Sequence, residues 1–265
     1  MYNVNGGYIE MLTKEIRLFR KKLKNGPVWG PFSKTEDPAL IEAIGYAGFD
    51  FVIIDLEHGP NSIRSTQNLI RAAQISGLFP IVRVKESLTN YIGEVLDIGA
   101  GGIEVPQITC AEDANRAIEA AKFFPDGMRG VCRYVRAADY SSMDRFQYFS
   151  EANETIIILQ LEGEKAINNL ESILNVPGID IIFIGPYDLS QALGVPGRTD
   201  HPKVIEKMRF IIDFSMSKGI YVGTFVENKT GSDKWREIGV RYLCYSVDIG
   251  IFFESCKKAV ELCKQ

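Results

Sequence analysis

Phe51-Val52-Ile53-Ile54-Asp55-Leu56-Glu57-His58-Gly59-Pro60 reads as a buried strand that opens directly into polar chemistry. The apolar run has no polar alternation, which is the pattern of a parallel strand covered on both faces. Two carboxylates and a histidine follow it, and Gly59-Pro60 turns the chain away. Packing gives a core strand no reason to end this way. Proton transfer does, because imidazole is the side chain whose ordinary pKa lies closest to neutrality.

Working outward, similar β-rich runs recur at Pro27–Ser33, Pro80–Val84, Gly102–Pro106, Thr155–Leu161, Ile179–Ile184, Ile220–Phe225 and Arg241–Ser246. Helical patterns separate them: Pro38–Ala47, Ser62–Ser76, Thr89–Ile98, Ala111–Phe123, Glu164–Leu174, Pro202–Lys218, Ser232–Ile238 and Ile249–Lys264. Asp37 and Pro38 form an N-cap and N1 pair, and Gly48, Gly77 and Gly99 act as stops. A further helix, about Tyr8–Leu23, precedes the first strand. Repeated strand-then-helix units predict an α/β fold, a (β/α)8 TIM barrel with an extra N-terminal helix. The runner-up is a doubly wound open sheet, but no Gly-x-Gly-x-x-Gly follows the first strand. With no linker or low-complexity stretch, residues 1–265 are expected to form one domain, with 1–7 disordered. Pro125 to about Asn153 is the longest irregular section expected, and loops of that length are usually functional or interfacial.

A chain of 265 residues, 46% hydrophobic and 24% charged, is long enough for one sizeable core. A net charge of −4 argues against a nucleic-acid partner. The basic run Arg20-Lys21-Lys22-Leu23-Lys24 is expected to be a solvated helix face. No apolar stretch is long enough to span a membrane. The scattered cysteines, Cys110, Cys132, Cys244, Cys256 and Cys263, lack a Cys-x-x-Cys and point to a reduced, cytoplasmic protein without disulfides or structural zinc. Cys256 and Cys263 are spaced to share a buried helix face.

In such a barrel the chemistry gathers at the C-terminal strand ends. Those ends carry Asp55, Glu57 and His58; Arg83; Glu104 and Gln107; Gln160, Glu162 and Glu164; and Gly185-Pro186-Tyr187-Asp188. Glu162 and Asp188 suit a hard divalent cation, which typically takes one or two protein carboxylates and completes its shell with other oxygens. Gly185-Pro186 leaves the N–H groups of Tyr187 and Asp188 free for a carboxylate. Arg83 is a fixed positive fork for a carboxylate or developing oxyanion, and His58 is the acid/base. Together they suit a 2-oxo acid. No lysine ends an apolar strand as a Schiff-base nucleophile; Lys85 comes nearest. Taken singly, strand-end carboxylates can merely cap the next helix and Arg83 can be a structural ion-pair partner. His201, before Pro202, is expected to be a cap or surface residue, and Cys132 an ordinary small side chain.

Several stretches resemble the HpcH/HpaI family of class II, metal-dependent aldolases of the phosphoenolpyruvate/pyruvate barrel superfamily. They are Trp29-Gly30, Asp55-x-Glu57-His58, Val82-Arg83, Val105-Pro106, Gly127-x-Arg129-Gly130, Gln160-x-Glu162 and Phe183-Ile184-Gly185-Pro186-x-Asp188-Leu189-Ser190. The resemblance runs from about Pro27 to the C-terminus. It implies reversible cleavage of 4-hydroxy-2-oxo acids, of the 2,4-dihydroxyhept-2-enedioate or 2-dehydro-3-deoxy sugar acid type, to pyruvate and an aldehyde. The intermediate implied is a metal-stabilised pyruvate enolate, and the setting implied is one such as aromatic-compound catabolism. Oxaloacetate decarboxylation and citrate-lyase-like cleavage remain open alternatives, as does a non-catalytic barrel.

The resemblance further implies His58 as acid/base, Arg83 beside the enolate, and Glu162 and Asp188 as ligands of Mg²⁺, Mn²⁺ or Co²⁺. Gln160, Gly185, Pro186, Tyr187 and Asp188 would contact substrate. Asp97 would raise the basicity of His58, with Asp55 a second candidate for that role. It also implies a homo-oligomer, a hexamer built as a trimer of dimers, with the helix at about 249–264 exchanged between subunits. Glu104, Gln107, Lys85 and the loop from Val131 to Arg136 depart from the family pattern near the expected second-substrate position. Arg133 and Arg136 are candidates there for a distal carboxylate.

Overall fold

The computed structural model describes residues 8–86 and 89–264; the expected disorder of residues 1–7 falls outside them. Eight strands close in sequence order into a barrel: β1 (Val28–Ser33), β2 (Phe51–Asp55), β3 (Phe79–Arg83), β4 (Gly102–Val105), β5 (Ile156–Leu161), β6 (Ile181–Ile184), β7 (Tyr221–Val226) and β8 (Tyr242–Val247). Every neighbouring pair is parallel. Two apolar layers follow from the two-residue repeat of a strand. On β2, Phe51 and Ile53 join the barrel interior with Phe79, Ile81, Ile158, Phe183 and Tyr242. Val52 and Ile54 face outward into the layer shared with the helices.

The flanking helices are α2 (Pro38–Tyr46), α3 (Ile63–Ile75), α4 (Thr89–Asp97), α5 (Ala111–Ala121), α10 (Pro202–Ser217) and α11 (Lys229–Glu237), following α1 (Tyr8–Asn25). Asp37 caps α2 by accepting from Ala39 N–H, with Pro38 in the first turn. His201 caps α10 through Nδ1. The expected helix over Glu164–Leu174 divides at Asn169 into α7 (Glu164–Asn168) and α8 (Leu170–Leu174). The section after Pro125 is more ordered than its sequence suggests. It holds a 3₁₀ turn at Arg136–Ser141 and α6 (Arg145–Ala152), built around buried Phe123 and Tyr148. A short α9 (Pro186–Ala192) leaves β6 directly.

α1 closes the N-terminal mouth of the barrel. Its residues Leu12, Ile16, Phe19 and Leu23 are buried in the inner core. Phe19 stacks on Phe79 at 4.3 Å and meets Phe51 edge-on at 6.0 Å. The last helix, α12 (Asp248–Cys263), behaves oppositely: Ile249, Phe252, Phe253, Val260 and Leu262 are all exposed. Cys256 and Cys263 are exposed as well, so the buried face expected for them is not formed within one chain. Among the described residues no helix is long and apolar enough to cross a membrane.

Several strand positions bury polar groups, among them Asp55, Arg83, Glu104 and Gln160. Glu104 on β4 is fully buried, and burial pushes its carboxyl up to about 8.

Two predictions follow from this packing. Phe19→Ala is expected to cost about 3–5 kcal/mol in denaturant unfolding, because it opens a cavity under the barrel floor; a loss below about 1 kcal/mol would show that α1 is dispensable. Folded Glu104 holds a proton that the unfolded chain releases above its ordinary carboxyl pKa, so the wild type loses stability as pH rises from about 4.5 to about 8. The thermal-stability advantage of Glu104→Gln over wild type should therefore widen between those limits and level off above them.

Candidate active site

Asp55 is the last residue of β2 and is wholly buried, an unfavourable place for a carboxylate without a partner. Its register neighbour is Arg83, the last residue of β3, and paired residues on adjacent strands project to the same side. A two-pronged contact results: Arg83 Nε donates to Asp55 Oδ1 at 2.9 Å and Nη2 to Oδ2 at 2.7 Å. Asp55 Oδ1 also accepts the backbone N–H groups of Glu57 and His58, at 3.0 and 3.2 Å. Burial opposes the charge on Asp55, but these bonds and the guanidinium hold its pKa below the usual value. The guanidinium carbon stands 4.4 Å over the Phe32 ring.

With Nε and Nη2 engaged, Nη1 is the edge of Arg83 that faces the remaining polar groups. It lies 3.5 Å from Gln160 Oε1 and 3.1 Å from Glu57 Oε2. Gln160 Nε2 donates to Glu162 Oε2 at 2.5 Å. Gln107, held at φ 56°, turns its N–H to Glu162 Oε1 at 3.2 Å and its side-chain amide to Glu57 Oε1 at 3.1 Å. Left-handed backbone at a residue other than glycine is uncommon, and here it aims both donors of one residue at two carboxylates.

Glu162 and Asp188 meet across Gly185. A Cβ on Gly185 would stand 3.2 Å from Glu162 Oε2 and 3.6 Å from Asp188 Oδ2. Burial pushes Glu162 up to about 7; the Gln160 bond opposes this, while the charges of Asp188 and Glu57 add to it. Two carboxylates crowded around a glycine fit a divalent cation, which would relieve their repulsion. Among the described residues no set of three or more His, Cys, Asp or Glu is arranged to hold a metal. A cation here would therefore take its other ligands from water or substrate oxygens. An open cavity of about 250 Å³ lies beside this cluster, lined among others by Lys34, Arg83, Gln160, Tyr187, Asp188 and Glu227.

The structure brings together Asp55, Arg83, Gln160, Glu162, Gly185, Pro186, Tyr187 and Asp188. His58 is exposed at the rim, with Nε2 3.8 Å from Glu57 Oε2. The carboxylate of Asp55 winds the turn that carries His58 by accepting its backbone N–H. Asp97 is not beside His58 in this chain. It ends α4, where the chain has returned to the N-terminal side of the barrel, and it pairs with Arg129 at 2.6 Å.

Arg133 and Arg136 lie on that side too, because α5 has already carried the chain back before their loop begins. Arg133 donates to Ser141 O, and Arg136 to Ile98 O and Gln74. Within one chain neither reaches the cavity. Lys85 is exposed; the lysine at the site is Lys34, just past β1, with Nζ 3.8 Å from Asp55 Oδ2.

Sequence reasoning missed Glu227, whose Oε1 accepts from Tyr187 O–H at 2.8 Å; burial and this bond push the phenol up to about 12. Its position just past β7 is a signal of the kind that marked the other strand ends. Asp248 was missed as well. It is buried and accepts from Ser33 Oγ, Lys34 N–H, Thr35 N–H and Thr35 Oγ1, pinning the loop that presents Lys34.

The chain is 32% identical over 252 residues to hydroxypyruvate/pyruvate aldolase of Roseobacter denitrificans, covering 94% of this chain and 98% of that one. It is 30% identical over 237 residues to 5-keto-4-deoxy-D-glucarate aldolase of Shigella boydii, covering 89% and 91%. The crystal structure of an HpcH/HpaI aldolase/citrate lyase family protein from Burkholderia cenocepacia superposes with a TM-score of 0.88 at 30% identity, over 94% of this chain and 99% of that one. The family pattern described as HpcH/HpaI aldolase/citrate lyase matches residues 29–254, the whole barrel from β1 into α12, and the protein belongs to that family.

Proposed function

We propose that the protein is a divalent-metal-dependent aldolase that cleaves a 4-hydroxy-2-oxo acid reversibly to pyruvate and an aldehyde. The observation that carries this reading is the two-pronged Asp55–Arg83 pair, which leaves Arg83 Nη1 facing Gln160 beside the Glu162/Asp188 pair. A divalent cation held by Glu162 and Asp188 would polarise the 2-oxo group of the substrate.

The chain's own residues do the rest. Backbone N–H groups of Tyr187 and Asp188, in the first turn of α9, have no intrahelical acceptor and receive the substrate carboxylate. His58 takes the proton of the C4 hydroxyl. The C4 oxygen forms the aldehyde carbonyl, the C3–C4 bond breaks, and its electron pair becomes the pyruvate enolate. Arg83, fixed by Asp55, faces the oxygen on which that charge develops, and needs no reorganisation to do so. Protonation at C3, balanced by His58 giving up the proton it took, completes pyruvate and restores the site. The aldolase relatives support the carbon–carbon cleavage, and the exposed apolar residues of α12 support self-association; we propose that it takes the form of a hexamer, a trimer of dimers with that helix exchanged.

The test is pyruvate release from a panel of 4-hydroxy-2-oxo acids and oxaloacetate. Activity is expected on a hydroxy-oxo acid, lost with chelator and restored by Mg²⁺, Mn²⁺ or Co²⁺; activity undiminished by exhaustive chelation would overturn the metal, and release from oxaloacetate alone would overturn the aldolase. Arg83→Ala, checked for folding by circular dichroism, is expected to lower turnover about a hundredfold or more, on the scale of about 2.7–4 kcal/mol for one oxyanion donor. Near-wild-type turnover in that variant would remove Arg83 from its role.

A further inference from the structure

Glu104 is a buried acid that the proposed reaction does not use. It lies one strand beyond the Asp55–Arg83 pair in the same register row, with Asp55 opposite Arg83 and Arg83 opposite Glu104. Its side chain points into the barrel and is 0% exposed. Oε2 accepts from Tyr242 O–H at 3.5 Å, and the buried Oε1 has no hydrogen-bond partner. A carboxylate in this position is unfavourable, because a buried charge needs a close counter-ion and several hydrogen bonds. The cation near it, Arg83, already forks onto Asp55 and approaches Glu57.

The geometry points to Glu104 as a positioning residue for Arg83: a neutral acid behind the guanidinium that leaves its outward N–H groups for substrate and, if it lost its proton, would compete for them. This inference rests on the reading of Arg83 as the group facing the enolate. The charged and titratable groups around Glu104 come from each packed strand. They are Asp55 and Glu57 from β2 and its turn, Arg83 from β3, Glu162 just past β5, and Tyr242 and Cys244 from β8. Burial is the largest influence on Glu104; Arg83 opposes it, and the three carboxylates reinforce it. Below about pH 8 the acid is neutral. The fork of Arg83 is then set by Asp55, and its remaining charge is directed at the mouth. Above that pH a second anion inside the barrel would draw on the same guanidinium from the neighbouring strand.

The first measurement is exchange of pyruvate methyl protons with solvent deuterium by the Mg²⁺-loaded protein, which needs no aldehyde. The wild-type rate is expected to fall as one ionisation above about pH 8, about tenfold per further unit. Glu104→Gln, a neutral group of the same shape, is expected to show no such fall up to about pH 9.5. The same alkaline fall in Glu104→Gln would overturn the inference, as would a rate in that variant that is low at every pH, since ionised Glu104 would then be the active form.

The second measurement does not depend on activity. The infrared C=O stretch of a protonated carboxyl, taken as wild type minus Glu104→Gln, should be present at pH 7 and decline with a midpoint near pH 8. In Arg83→Met its midpoint should move to higher pH. Absence of the band at pH 7, or a midpoint indifferent to Arg83→Met, would overturn the inference. If Glu104→Gln does not fold, Tyr242→Phe assigns the band instead, because loss of the phenol O–H shifts its frequency. A band that responds to Arg83 in a protein showing no pyruvate exchange at any pH would sink the aldolase reading and leave the Glu104–Arg83 coupling standing.

Discussion

The site depends on one buried ion pair. Asp55 and Arg83 end adjacent parallel strands in register, so their side chains emerge on the same side at the same level. Either charge alone would be costly there. Joined by two hydrogen bonds they are tolerated, and Asp55 still has an acceptor site to wind the Glu57–His58 turn. Arg83 is thereby fixed in orientation with one edge left to face Gln160. The arrangement resembles the supporting contacts of a preorganised oxyanion site, in which the donor is aimed before charge develops.

Around that pair the mouth of the barrel is rich in negative charge. Glu57, Glu104, Glu162 and Asp188 all lie near it, against Arg83 and Lys34. Such an excess is relieved by protons or by a cation, and the molecule offers a place for each. Glu104, sealed in the interior with an unpartnered oxygen, holds a proton. Glu162 and Asp188 flank Gly185 where solvent and ligands arrive, and there the proposed divalent cation replaces the proton. The difference between two carboxyls a strand apart is one of access rather than residue type.

Strand direction sorts the remaining polar residues. Chain leaving a strand reaches the cavity, and chain leaving a helix reaches the opposite end. Lys34, Glu227 and Asp188 follow strands and line the site. Asp97, Arg129, Arg133 and Arg136 follow α4 and α5 and bind one another's surroundings at the far end. The apolar residues Ile249, Phe252, Phe253, Val260 and Leu262 of α12 belong to neither end and are exposed.

The sequence by itself determined the barrel. Near-continuous apolar runs separated by amphipathic helices with caps and glycine stops admit few folds, because backbone hydrogen bonding and burial act locally and repeat with a fixed period. It also determined which strand ends carry chemistry, since Asp55, Arg83, Gln160, Glu162 and Asp188 each interrupt an apolar run where packing alone would continue it. Only the tertiary structure decided which of these touch. The fork of Arg83 onto Asp55, the left-handed turn of Gln107 toward Glu162, and the distance of Asp97 from His58 depend on register between strands far apart in the chain. So does the isolation of Glu104: whether a carboxyl is charged depends on the neighbours that folding places around it, and no local pattern of residues carries that information.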